Sequence, residues 1–380
     1  MTSGTIAILT ASSGLGSFVP AVALSKWFQR QQRSVRFYAL EQLYTPQALV
    51  RLEKTKAQCR RSLRTALLTQ RWLSHSPGSI REAIDAEKWQ AFKAQWQHCP
   101  PEQVFIFSGF WLSLISELQA AQGARTTGEN QPVYHGVHVD VTASLSWQPG
   151  EIGDLQHHHL LAEGDEQYLV PPPPVVDWAQ RESRVAVHGG GWDIGDLDAC
   201  IALLRSRYTL LLGQSSLADA DADADADAEN WQLLTDPDWL PWQHGCAAGG
   251  QYPAQTLLGQ TETRTGEQSR AINARCPDEP PFQQLLSRCR ALITKPGGAS
   301  LIDSMATATP LVLLSPFGDY EAANGRAWIS RGFALSFDDW KAQGFAEAPL
   351  YRCHQALLVM RGNRSVYGEK YANENATEVG

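Results

Sequence analysis

No stretch of this chain is apolar for the roughly 20 residues that a membrane-crossing helix needs. Positive charge is not in excess either: 32 Lys and Arg face 40 Asp and Glu, a formal net charge of −8. With a pI near 5.7, this argues against general nucleic-acid binding and leaves no nucleic-acid partner to expect. The seven cysteines are odd in number and never fall in a C-x-x-C pair. That excludes a disulfide framework and points to free thiols in a reducing compartment. Zinc-ligand spacing is missing, so no metal site is expected. The first strand pattern begins at Ile6, with no signal-peptide pattern before it, so the expected location is the cytoplasm. The loop Gly14-x-Gly16 lacks the third glycine of the dinucleotide fingerprint, since Val19 stands there. A nicotinamide-dependent dehydrogenase is therefore poorly supported.

What is present fits a globular α/β protein. A length of 380 residues accommodates two ordinary domains, and 43% hydrophobic with 19% charged residues suits sizeable cores. Thr5–Thr10 reads as a buried strand, Ser12–Ser17 as a glycine turn, Pro20–Phe28 as a helix and Val35–Leu40 as a second strand. Strand, turn, helix, strand is a βαβ unit and implies a parallel sheet. Val104–Phe107 and Val133–Asp140 read as later strands of that sheet. The run Pro171–Pro174 is a stiff linker with a polyproline bias. Beyond it, strand Arg184–His188, a glycine loop with Gly190 and Gly191, helix Leu197–Arg207 and strand Tyr208–Leu212 open a second half. The expected division is an N-terminal domain over 1–168, a linker over 169–178, a C-terminal domain over 179–355 and a terminal segment over 356–380.

The most informative stretch is Leu292–Trp328. The apolar run Ala291-Leu292-Ile293 ends in Lys295-Pro296-Gly297-Gly298, which forces a turn. Helical spacing follows, with Leu301, Ile302 and Met305 on one face, and Leu311–Leu314 forms the next buried strand. A glycine turn between strand and helix leaves backbone N–H groups free at the helix start, over Gly298, Ala299 and Ser300. That is a ready anion site. Asp303 lies in the first turns, within reach of a group held there.

This order of Lys-Pro-Gly-Gly, an acid five residues on, Pro, an apolar strand, an acidic loop and Asn324 resembles the donor-site signature of GT-B glycosyltransferases. The nearest branch is that of the murein N-acetylglucosaminyltransferases and diacylglycerol glucosyltransferases, with the UDP-glycosyltransferases close by. The resemblance implies two Rossmann-like domains facing a cleft. It implies a nucleotide-diphosphate sugar, UDP-linked in that branch, as donor substrate, with no cofactor and no metal. The diphosphate falls on Gly297, Gly298, Ala299 and Ser300 with Lys295 beside it, and the ribose hydroxyls fall on Asp303, where Glu is usual in the family. Asp319 or Glu321 carries the acid toward the sugar. The reaction implied is inverting transfer to a hydroxyl or amine, with an epimerase, a hydrolase or a non-catalytic nucleotide-sugar binder as alternatives on the same scaffold.

The N-terminal half departs from the family. Where Gly-His-x-x-Pro-x-x-x-Leu is usual, this chain has Gly16-Ser17-Phe18-Val19-Pro20, with Leu24 closing the pattern. Ser17 thus stands in place of a catalytic histidine, and a serine is a poor general base. Its other reading is a turn or cap residue. Alternation along the strand puts His138 and Asp140 on one face near its carboxyl end, and either could replace the base. His135 falls on the opposite face. His157-His158-His159 reads as a solvated loop. Residues 47–72 are basic and helical, a solvated face or a peripheral membrane contact suited to an acidic or lipid-linked acceptor. Ala218–Glu229 alternates Ala and Asp and reads as a surface insertion without a fold of its own. Trp231, Trp239 and Trp242 are candidates for a nucleobase wall or for core packing.

Overall fold

The structure is a computed structural model. It describes residues 5–61, 65–66, 78–123, 131–147, 152, 154–190, 197–214, 230–236, 238–259, 272–273, 281–362 and 364–371. The chain divides into two compact units. The first contains Met1–Val170, Pro241–Gln251 and Val366–Gly380; the second contains Pro171–Leu240 and Tyr252–Ser365.

Unit 1 is a five-stranded sheet in the order β2-β1-β3-β4-β5. Its strands are β1 (Ile6–Thr10), β2 (Val35–Ala39), β3 (Gln103–Ile106), β4 (Val133–His138) and β5 (Gln156–His159). Every pairing is parallel. All five residues of β1 are buried, as an apolar run at the centre of a parallel sheet should be. Helix α1 (Leu15–Arg30) follows β1 and presses Phe18, Ala21, Val22, Leu24 and Phe28 inward. The remaining helices are α2 (Pro46–Arg61), α3 (Gly78–Ala83), α4 (Ala86–His98) and α5 (Leu112–Gly123). Trp89, Trp96 and Trp111 fill the core between α4, β1 and β3. The segment Pro241–Gln251 belongs here too: Gln29 Nε2 donates to Ala248 O at 2.8 Å, and Ser25 Oγ donates to Gly249 O. So does the segment after Val366, where Tyr367 N donates to Tyr168 O at 2.7 Å.

Unit 2 is an eight-stranded sheet in the order β10-β9-β8-β7-β6-β11-β12-β13. The strands are β6 (Arg184–His188), β7 (Thr209–Gln214), β8 (Trp231–Thr235), β9 (Gln255–Gly259), β10 (Ile272–Asn273), β11 (Ala291–Thr294), β12 (Leu311–Leu313) and β13 (Ala334–Ser336). Pairing is parallel from β8 to β13, while β9 and β10 run antiparallel at one edge. The helices are α6 (Leu197–Leu204), α7 (Pro281–Leu286), α8 (Gly298–Thr307), α9 (Asp319–Ser330), α10 (Phe337–Ala342) and α11 (Glu347–Arg361). Leu301, Ile302 and Met305 are buried together on α8, as their spacing predicts. The buried Arg181 guanidinium closes the far end of this helix. It donates to Thr307 O at 2.7 Å, and to Cys289 O and Thr309 Oγ1 at 2.9 Å each. Those carbonyls would otherwise lie buried without donors.

Three expectations change here. His157–His159 is not a solvated loop: it is strand β5, paired in parallel with β4 so that His138 faces His159 in register. Three consecutive histidines carry no apolar alternation, which hid the strand. Helix α11 runs on to Arg361, past the expected limit of 355. A linear division of the chain also misses the two returns to unit 1, at 241–251 and after 366. The insertion Ala218–Glu229 lies outside the described residues.

Candidate functional site

The site in unit 2 forms where β6, β11 and β12 end side by side, at the carboxyl edge of the sheet where open α/β folds bind ligands. Gly297 is the N-cap of α8 and brings no side chain to it, and no acidic residue occupies the first turn. The N–H groups of Gly298, Ala299 and Ser300 therefore open the helix without a side-chain cap. Together with the helix dipole they favour a bound anion. Lys295 lies immediately before this turn, 8% exposed. Its Nζ is 3.9 Å from Glu321 Oε1 and 5.1 Å above the Phe317 ring. Asn324 fixes the same turn, donating from Nδ2 to Pro296 O at 2.9 Å.

The two acids at the start of α9 differ sharply. Asp319 is exposed. Glu321 is buried and turned inward, with Oε2 accepting from Phe317 N at 2.5 Å. Asp303 sits further along α8. Its Oδ1 accepts from Gln283 Nε2 at 2.7 Å. Burial pushes its carboxyl up to about 6, against the lowering effect of the Gln283 hydrogen bond.

The second glycine loop carries a residue that sequence reasoning missed. His188 ends β6, and its Nδ1 accepts from Gly190 N at 2.9 Å, with Thr294 Oγ1 at 3.3 Å. An Nδ1 that accepts leaves the ring proton on Nε2. Burial, reinforced by the Lys295 charge, holds His188 at about 4, so it is neutral at physiological pH. Gly190 has φ +78° and lies against Lys295, whose Cε would be 3.8 Å from an added Cβ. The sequence signal was the strand-end position of His188, beside the glycine loop. Gly191 falls outside the described residues. So do Arg64 and Arg71 of the basic stretch.

In unit 1, the loop after β1 already holds an anion. The buried Glu41 carboxylate accepts from Ser12 N at 2.8 and 2.9 Å and from Ser13 N at 2.6 Å. The amides that lead into Gly14 and Gly16 are thus occupied by an internal carboxylate, a partner that nothing in the loop's own sequence signals. Ser17 donates to Ala11 O at 3.1 Å. His138 is buried: its Nε2 lies 2.8 Å from His157 Nδ1, and its ring packs at 4.1 Å from both His159 and Trp147. Burial first, then the neighbouring histidines, lowers it to about 3. Asp140 is 7% exposed and lies just beyond the carboxyl end of β4. Alternation puts His135 on the other face, 3.2 Å from His158 Nε2 and stacked on Phe105. Among the described residues no group of three or more His, Cys, Asp or Glu is arranged to hold a metal ion. Trp231 belongs to unit 2 with Arg184 4.8 Å above its ring, whereas Trp242 belongs to unit 1. Among the described residues no helix is long and apolar enough to cross a membrane.

Neither a protein-family profile nor a curated protein sequence matches the chain. Solved structures do. The spinosyn rhamnosyltransferase SpnG is 12% identical over 97% of this chain and 100% of its own, with a TM-score of 0.53. SsfS6, a glycosyltransferase of Streptomyces sp. SF2575 solved with thymidine diphosphate, is 10% identical over 98% of this chain and 100% of its own, with a TM-score of 0.52. At such identity the likeness is one of fold: the chain has the two-domain α/β fold of these glycosyltransferases, matched over 97% and 98% of its length.

Proposed function

We propose that this protein is a glycosyltransferase that moves a sugar from a nucleotide-diphosphate sugar to an acceptor hydroxyl or amine. The observation that carries this is the uncapped start of α8, with Lys295 beside it, at the carboxyl edge of a parallel sheet. A leaving diphosphate needs positive potential in place before the bond breaks. The N–H groups of Gly298–Ser300 and the Lys295 ammonium supply it, so the reading requires no cofactor and no metal. Asp303 receives the ribose hydroxyls and Asp319 is the acid open toward the sugar. The donor base is a pyrimidine: UDP in the branch the motif resembles, thymidine diphosphate in SsfS6.

Direct displacement inverts the anomeric carbon and requires a group to take the acceptor's proton. A general base works best with a pKa near the working pH. At about 3, His138 is a weak base. Asp140, just beyond the carboxyl end of β4 where ligands reach a parallel sheet, takes that role in our reading on its position, with Ser17 as a hydrogen-bonding neighbour of the acceptor. Exposed Arg51, Lys54 and Arg60 on α2 suit an acidic or lipid-linked acceptor at a membrane surface. Incubation of the purified protein with UDP- and TDP-sugars and a panel of hydroxyl and amine acceptors tests the reaction. Glycosylated acceptor with released nucleoside diphosphate is the expected outcome. Release without acceptor would favour a hydrolase, and tight binding without turnover a non-catalytic binder.

A further inference from the structure

Family resemblance assigns the acid at the start of α9 to the donor sugar, yet Glu321 is built differently. It is 6% exposed. Its Oε2 caps Phe317 N at 2.5 Å, while Oε1 reaches 3.9 Å from Lys295 Nζ. The same Oε1 would be 3.9 Å from a Cβ at Gly297, the N-cap of α8. A carboxylate oxygen thus lies near both the ammonium and the N-cap of α8, where an anion is otherwise most favoured. Asn324 and Phe317 hold the two sides of this arrangement in place.

Resting on the donor reading above, we propose that Glu321 is an internal counter-ion for Lys295 that the donor diphosphate displaces, and not a ligand of the sugar. At 3.9 Å the pair is at the long limit of an ion pair, so Lys295 can turn to a phosphate that approaches more closely. Glu321 then acts as a positioning residue: it holds the lysine at the mouth of the helix when no donor is bound, and it weakens every anion that binds there.

The test is calorimetric titration of UDP and of a UDP-sugar into wild type and Glu321→Gln. The amide oxygen of Gln still accepts from Phe317 N, so the loop keeps its shape while the charge is lost. UDP should bind Glu321→Gln about fivefold tighter, the scale of a modest charge interaction. The UDP-sugar should gain by the same factor. In a Lys295→Met background the gain should shrink, because the coupled partner is gone. Unchanged or weaker UDP binding in Glu321→Gln overturns the proposal, and so does a loss confined to the UDP-sugar, which would return Glu321 to the sugar. Should the variant fail to fold, the crystal structure of wild type with UDP decides. Lys295 Nζ on a phosphate oxygen and away from Glu321 supports the exchange; Nζ still on Glu321 refutes it. Wild type that binds no nucleoside diphosphate removes the donor reading itself, before any variant is compared.

Discussion

Gln283 Nε2 donates to Asp303 Oδ1 at 2.7 Å, which holds a desolvated carboxyl on α8. Ribose hydroxyls donate best to an ionised carboxylate. With Asp303 titrating at about 6, affinity for a nucleotide sugar should fall as pH drops from 7 to 5. A nucleotide sugar is the right probe, because its diphosphate takes up no proton in that range. Asp303→Asn should bind more weakly at pH 7 and lose the pH dependence. The missing hydrogen bonds to charge are worth roughly 1.5–3 kcal/mol. Titration calorimetry across that range checks it; a flat wild-type profile would remove Asp303 from the ribose site. The same carboxyl affects stability in the opposite direction. Its folded pKa is raised, so its contribution is largest below pH 3.8 and is lost as pH rises through about 6.

The histidines of β4 and β5 should set the acid limit of unit 1. His135 is held at about 4 and His138 at about 3, against 6.5 in an unfolded chain. His158 and His159 are lowered as well, burial being the first cause in each. Depressed values mean that their stability contribution is complete above pH 6.5 and is lost as pH falls through the folded values. The two buried groups, His135 and His138, each add a slope of up to about 1.4 kcal/mol per pH unit within their windows. His138→Phe cannot charge and should flatten the acid limb of a denaturant-stability profile. An identical limb in that variant would show that His138 titrates normally.

Turnover should separate the two candidates on β4. Asp140→Asn is expected to lower the transfer rate by about a hundredfold to ten-thousandfold, the usual contribution of a general base. His138→Gln should cost far less, since its imidazole is buried and weakly basic. Ser17→Ala should also cost less. Donor affinity should survive in all three. Full turnover in Asp140→Asn would place the base elsewhere.

How far the sequence discloses this arrangement differs between the halves. The glycine turn before α8 was readable because its message is local: strand, Lys295-Pro296-Gly297-Gly298 and helix succeed one another, and the structure brings them to one sheet edge. Lys295, Asn324 and the glycines meet around the start of α8 as the motif implies, and Asp303 lies further along it. What was hidden depends on distant pairing. Glu41 reaches the β1 loop from 28 residues away along the chain, and nothing in Ser12-Ser13-Gly14 announces it. His188 is a lone histidine until Gly190 N and Lys295 define its tautomer and charge. Strand β5 is visible only through its register with β4. The inward turn of Glu321 required the positions of Phe317 and Lys295 together.

In our reading the start of α8 and Lys295 form a nucleoside-diphosphate site. Its most direct measurement is a calorimetric titration of UDP, TDP and the bare nucleosides into wild type and Lys295→Met. Wild type should bind a pyrimidine nucleoside diphosphate far more tightly than its nucleoside, and Lys295→Met should lose most of that difference while the nucleoside affinity stays the same. No binding of any nucleoside diphosphate to wild type, or equal affinity in the two proteins, would contradict it.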